Sequence, residues 1–440
     1  VDFSEVFSQN DGFDIVISNP PYIQLQKLRN NPSQVAYKMQ NFNVYDSMGD
    51  VYCLFFERGI QLLKKGGLLC YITSNKWMRT DYGKKLRMYL ANYNPLILLD
   101  LGSGVFDTAT VDTDILLVEE ANSKGIGPLA LSLTGKTAND VNVPRLVNSE
   151  GIQLPVFGEN PIFIGGKNEI DLKSKIEKAG IPLGMHKIRI NYGIKTGLNN
   201  AFIIDTRTKE LLCSKDPNSQ KLLKPVLKGR DIEKYKYSWD GLWLINTGYN
   251  LDIPTEYPVV FEHLKQFEEK ARKRKDQGLN WYNLRSCAYY DDFSKEKIMW
   301  KEMSSDSSFI YDVYGYYCID TARILVGEHV KFLTALFNSK LFRFSFAKWY
   351  SGGGLGDTGI RFKGEYIKNF PVPECKEDNQ AIIKTIEGLV ENIAAVDVKS
   401  QESILFDISD KIDILLYELY GLNRLEVASI EAELNYPCQS

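Results

Sequence analysis

The sequence is short of several things, and each shortage removes a class of function. Among 440 residues there are three histidines, His186, His263 and His329. Histidine is the usual proton carrier near neutral pH and the commonest metal ligand. His-centred triads and metal clusters therefore have little to draw on, and the three are read as structural or surface residues. The seven cysteines are scattered, with no CxxC pair. That spacing argues against a zinc site and a disulfide framework, so no metal is expected and the reducing cytoplasm is the default location. No apolar run approaches the roughly 18 residues of a membrane span, and no signal peptide opens the chain. Net charge is only −3.

What is present describes a globular protein: 44% hydrophobic and 25% charged residues, in a chain long enough for two or three domains. The small net charge hides an uneven distribution. Residues 181–240 hold twelve Lys/Arg against six Asp/Glu, whereas residues 376–440 hold five against thirteen. A basic middle is one mark of a polyanion partner, though a solvated lysine-rich surface gives the same count.

Apolar runs at 13–18, 68–74, 96–101 and 113–120 alternate with helical periodicity at 50–65, ending in Gly66-Gly67, and at 82–93. That alternation predicts an α/β sheet of the doubly wound kind, with strands covered on both faces. Residues 126–185 break into short strands and turns around one helix near 169–180 and read as a connector. Residues 186–374 mix short strands, aromatic clusters and a helix over 329–349, as an α+β domain would. Residues 375–440 carry long helical periodicity interrupted near Gly421, a helical tail.

The first strand ends abruptly in "SNPPY". Two prolines fix φ at successive positions and remove two N–H donors, so the loop offers carbonyl oxygens rather than donors. The Asn19 side-chain oxygen and the Pro20 carbonyl can both accept from one planar amino group, while Tyr22 offers a flat face for stacking. An exocyclic amine of a nucleobase fits, and so does a side-chain amide. Accepting both protons of such a nitrogen frees its delocalised lone pair for attack without a strong base.

"DIVISNPPY" (14–22) resembles motif IV of the amino-directed DNA methyltransferases, specifically the N6-adenine type. "GGLLCYITSNKWMRTDYGKKLR" (66–87) and "VFDTATVDTDILLVEE" (105–120) resemble later elements of that family. The resemblance implies a partial Rossmann-like methyltransferase sheet over 1–125, with Asn19, Pro20, Pro21 and Tyr22 catalytic. It also implies a flipped adenine held between Tyr22 and Phe106, and S-adenosylmethionine as cofactor. "NYGIKTGLNNAFII" (191–204), "LLKPVLKGRDIEKY" (222–235) and "FKGEYIKNFPVPE" (362–374) resemble the target-recognition domain that follows in type IIG restriction-modification enzymes. "DILLYELYGLNRLEVASIEAELN" (413–435) resembles their helical end. Double-stranded DNA is the partner implied. Lys195, Thr196, Lys228, Arg230, Arg361 and Lys363 stand in Gly-associated turns suited to phosphate contact, and "KARKRK" (270–275) is a basic run suited to line the duplex.

One part of the family pattern is missing. Its glycine-rich donor loop and acidic ribose ligand ordinarily precede the Asn-Pro-Pro-Tyr loop by about a hundred residues, and here eighteen residues precede it. The glycine loop at 350–359 lacks the strand and helix that would flank a donor site. The expectation is a carboxy-terminal portion whose donor pocket is mostly absent, inactive without an amino-terminal segment. No Asp…Glu-x-Lys nuclease arrangement is found. Two alternatives stand beside this reading: a DNA-specificity module without catalysis of its own, and a protein-glutamine methyltransferase, which shares Asn-Pro-Pro-Tyr but not the long domain after residue 125.

Overall fold

The early apolar runs become one mixed sheet. Its strands are β1 (Phe13–Ser18), β2 (Leu63–Ser74), β3 (Asn94–Gly102), β4 (Thr113–Glu119), β5 (Leu129–Ser132) and β6 (Ile152–Gln153), in the order β1-β2-β4-β3-β5-β6. The computed structural model describes residues 3–29, 31–102, 104–106, 111–134, 142–351, 359–395 and 402–435. By internal packing the chain divides into two units, residues 1–172 and 173–440.

β1 runs parallel to β2, with Val16 opposite Leu69. Parallel neighbours need a crossover, and the helix Val51–Gln61 lies within it, burying Tyr52, Phe56 and Ile60. β4 inserts antiparallel between β2 and β3, and β5 returns parallel to β3. Leu69, Leu98, Leu116, Val118 and Trp77 meet the helix in the core.

Three expectations change here. Gly66-Gly67 does not stop the helix, which ends at Gln61. The pair instead lies inside β2, where the register to β1 slips between Phe13–Leu63 and Ile15–Leu68 and Gly66 takes φ 76°, as a bulge requires. β1 is not covered on both faces. It is the edge strand: Phe3 and Phe7 pack on Phe13 at the start of one face, but Ile15 and Ile17 further along that face are 58% and 75% exposed, whereas Val16 packs against the core. Finally, the first part of the stretch read as a connector supplies β5, β6 and the helix Val143–Glu150. Val147 packs there with Leu99, Leu101, Leu131 and Leu133.

The second unit is built from small sheets. One orders β14 (Phe309–Asp312), β12 (Lys297–Lys301), β16 (Ala322–Gly327) and β8 (Ile188–Tyr192). Another orders β15 (Tyr317–Cys318), β10 (Leu223–Leu227), β11 (Leu242–Ile245) and β9 (Ile203–Asp205). β13 (Met303–Ser304) pairs with β17 (Ile360–Arg361), and β7 (Ile181–Pro182) with β18 (Pro371–Val372). Gly193 allows two of these layers to approach: a Cβ there would sit 1.9 Å from the Ile319 carbonyl oxygen.

The helix expected over 329–349 is broken. Val330–Asn338 ends at Ser339, whose hydroxyl accepts from the Phe342 amide at 3.0 Å and so caps a new helix, Lys340–Ser345. The tail forms helices Gln380–Ala395, Glu402–Leu419 and Arg424–Asn435, the last two separated at Gly421, φ 66°. Its acidic side chains meet lysines of the same unit. Lys340 donates to Asp410 and Glu431, both at 3.1 Å, Lys348 to Glu433 at 2.7 Å, and Lys175 to Glu426 at 2.7 Å. Among the described residues no helix is long and apolar enough to cross a membrane, and no group of three or more His, Cys, Asp or Glu is placed to hold a metal ion.

Candidate active site and nucleic-acid interface

The Asn-Pro-Pro-Tyr loop closes the carboxyl end of β1, where open α/β sheets bind ligands. Asn19 is exposed, Pro20 buried and Pro21 exposed. Tyr22 is half-buried; its hydroxyl donates to the Ile72 carbonyl of β2 at 3.3 Å, and its ring stands edge-on to Tyr52 with centroids 6.1 Å apart. Burial, with Asp114 and Asp50 nearby, pushes its phenol up to about 12, so the hydroxyl remains a donor at neutral pH. The chain after it is pinned by Val51 N donating to Ile23 O and Leu25 N to Gly49 O, both at 2.9 Å. The loop is thus held on both sides, and Asn19 projects from a fixed base.

Beneath it lies a polar cluster that the sequence reading passed over. Asp114 of β4 is fully buried, accepting from Thr73 Oγ1 at 2.9 Å and from Trp77 Nε1 at 3.2 Å. Asp100, its cross-strand partner, accepts from Asn75 Nδ2 at 3.0 Å and lies 3.8 Å from Arg79. A signal was available: Asp100 interrupts an apolar strand run and Asp114 opens one, and a buried carboxylate needs partners. Burial pushes the Asp114 carboxyl up to about 8. An acid whose folded-state pKa is raised binds its proton more tightly when folded, so its contribution is fully present below about pH 4 and is lost as pH rises toward 8. Asp114→Asn, which still accepts from Thr73 and Trp77, should flatten the decline in thermal stability between pH 4 and 8. Melting curves across that range check this.

Phe106 is half-buried in the loop after β3. Among the described residues no ring contact joins it to Tyr22, and its neighbours 103 and 107–110 lie outside the described residues. Most of the 350–359 glycine loop also lies outside them.

In the second unit the expected phosphate contacts separate into two kinds. Lys195 is half-exposed but paired with Asp276 at 2.9 Å. Thr196 is a correction: it is 2% exposed, and its hydroxyl bonds Asn199 Oδ1 and the Leu198 amide within its own turn. Lys228 is half-buried beside buried Gly229, and Arg230 is exposed, within 3.5 Å of both Asp231 and Asp240. Arg361 and Lys363 line one cleft of about 300 Å³ together with Tyr192, Glu302, Arg323 and Lys368. Of the basic run 270–275, Lys270, Arg272, Lys273 and Lys275 are exposed. Arg272 and Lys273 are paired with Glu268 and Glu269, while Arg274 is buried.

Comparison with known proteins follows the same division. Residues 1–106 match the Eco57I restriction-modification methylase family, and residues 224–372 match the TaqI-like C-terminal specificity domain. The chain joins a restriction-modification methylase domain to a TaqI-like specificity domain. It is 24% identical to the Type II methyltransferase M.BstVI of Geobacillus stearothermophilus, over 96% of this chain and 76% of that protein. Over 26% of this chain it is 36% identical to 12% of the Type II restriction enzyme and methyltransferase RM.Eco57I of Escherichia coli. The fold is that of the Type IIL restriction-modification enzyme MmeI, solved in complex with DNA: TM-score 0.59 at 14% identity, over 94% of this chain and 56% of that one. The methylase match contains Asn19–Tyr22 and ends at Phe106. The specificity match contains Lys228, Arg230, Arg361 and Lys363, and begins after Lys195 and Thr196.

Proposed function

We propose that the chain supplies the acceptor-base and DNA-recognition parts of an enzyme that methylates adenine N6 at a specific duplex site. The observation that carries this is the Asn19–Tyr22 loop, standing at the end of a sheet strand with Asn19 exposed and Tyr22 locked by its bond to Ile72. The adenine is flipped out of the duplex. Asn19 Oδ1 and the Pro20 carbonyl accept the two N6 protons, and Tyr22 stacks on the base, with Phe106 as its opposite face. Lys195, Lys228, Arg230 and Lys363 supply the charge that docks the duplex, and Arg361 stands in the same cleft as Lys363.

S-adenosylmethionine supplies the methyl group when bound. The described residues do not fit a whole donor pocket, since no strand with a glycine-rich turn and helix lies beyond β1. The free edge of β1, with exposed Ile15 and Ile17, supports a reading in which a further segment pairs there and carries the donor site. Pairing along that edge would satisfy its open backbone groups, and a helix carried with the added strand would cover the apolar face. The same observation favours a second reading, a specificity module without catalysis of its own.

Calorimetry of S-adenosylmethionine with the 440-residue chain separates what this chain holds from what must be added. No binding is expected, and micromolar binding would show that the donor site is assembled here. Mass spectrometry of DNA from cells expressing the complete enzyme should find N6-methyladenine. Methylation confined to cytosine, or to protein glutamine, would overturn the reading.

A further inference from the structure

Tyr192, Arg323, Glu302 and Arg361 form a row across the strands at one end of the second unit. Tyr192 ends the edge strand β8 and is 54% exposed. Its cross-strand partner on β16 is Arg323, whose guanidinium lies 4.1 Å from the Tyr192 ring centre. Arg323 also donates to the Asp320 and Ala322 carbonyls at 3.0 and 3.2 Å and to the Glu302 carboxylate. It is therefore a closed strut with little left to give a ligand. Arg361 differs. Its Nε donates to Glu302 Oε1 at 3.1 Å, and among the described residues its two terminal nitrogens have no hydrogen-bond partner. Its backbone is held in register by β13, where Met303 faces it.

Resting on the reading of this unit as a DNA-specificity domain, we propose that Arg361, braced by Glu302, donates its two terminal N–H groups to the O6 and N7 of one guanine in the major groove. Glu302 then sets one letter of the recognition site. A guanidinium fork matches that base edge bidentately, and a fork already held by a carboxylate loses little freedom on binding. Glu302 also disfavours a phosphate at this position, because its charge beside the fork repels a full anion far more than a neutral base edge. Each Glu302 oxygen already accepts from an arginine, Oε2 from Arg323 and Oε1 from Arg361, and the side chain is only 16% exposed, so it serves as the brace rather than as a reader of a cytosine amine. Lys363, in the same cleft and joined by no ion pair among the described residues, is the phosphate contact.

The test is selection of duplexes from a randomised library by the 440-residue chain. The wild type should enrich a motif containing guanine. Arg361→Lys keeps the charge and loses the fork, so preference for one guanine should fall at least about fivefold while the other letters persist. Glu302→Gln should relax the same letter and raise affinity for unrelated duplexes. Lys363→Ala should weaken binding to every duplex alike and lower the salt slope by about one. Unchanged motifs in both Arg361→Lys and Glu302→Gln would overturn the proposal, as would a wild type that binds duplex DNA without sequence preference. A wild type that does not bind duplex DNA would remove the specificity-domain reading itself.

Discussion

On the proposed function, Asn19→Ala is expected to lower methyl transfer to DNA by about 10²- to 10³-fold, the cost of removing one fixed hydrogen-bonding group aimed at a reacting centre. Affinity for the target duplex should stay within about twofold, since the residues proposed to grip DNA lie elsewhere in the chain. The protein should also remain folded. Asn19 is exposed and makes no hydrogen bond among the described residues, and changes at such positions move stability by about 0.5 kcal/mol or less. Pro20, Tyr22 and the ties at Ile23 and Leu25 keep the loop in place without it. Methyl transfer from labelled donor, measured beside DNA affinity, checks both halves. Full activity in the variant would remove Asn19 from the chemistry, and lost DNA affinity would move it to the docking surface.

Arg274→Ala is expected to destabilise the second unit by about 3–5 kcal/mol, whereas Arg272→Ala, two residues earlier, should change stability by about 0.5 kcal/mol or less. Arg274 is 7% exposed and donates to five carbonyls: Thr196 at 2.5 Å, Trp281 at 2.6 Å, Asn283 at 2.9 Å, Ala271 at 3.2 Å and Asp276 at 3.4 Å. Its guanidinium also lies 4.5 Å from the Phe202 ring centre. Removing it leaves buried carbonyls without donors, which is the costly direction of the change. Arg272 is 61% exposed and paired with Glu268, a contact of small value at a surface. Denaturant titration of the two variants measures the contrast. Equal small effects would mean that water replaces the buried guanidinium.

The residues around Asn19 were legible because proline and apolar periodicity act locally. A buried strand, a donor-poor diproline and an aromatic can be read from nine consecutive letters. The break at Gly421 was legible for the same reason, since one residue decides the local backbone. The break at Ser339 was equally local, a serine before a new apolar run, but the continuous apolar pattern through 349 masked it. Arg274 shows the limit. Its neighbours in sequence are all basic, and nothing in "KARKRK" distinguishes the residue turned inward. Thr196 shows it too, because a threonine in a glycine-bounded turn looks the same whether its hydroxyl faces solvent or its own loop.

By itself the sequence determined the α/β class of the first unit, the position of the Asn-Pro-Pro-Tyr loop at a strand end, the helical tail and the kinship with restriction-modification methylases. These follow from period, turn chemistry and short motifs, which depend on neighbours a few residues away. Tertiary structure alone decided the rest: which strand stands at the open edge of the sheet, that Asp100 and Asp114 face each other beneath the loop, that the acidic tail is held by lysines, and that Glu302 braces Arg361. Each joins residues from about a dozen to several tens of positions apart, through strand order and burial that no local pattern encodes.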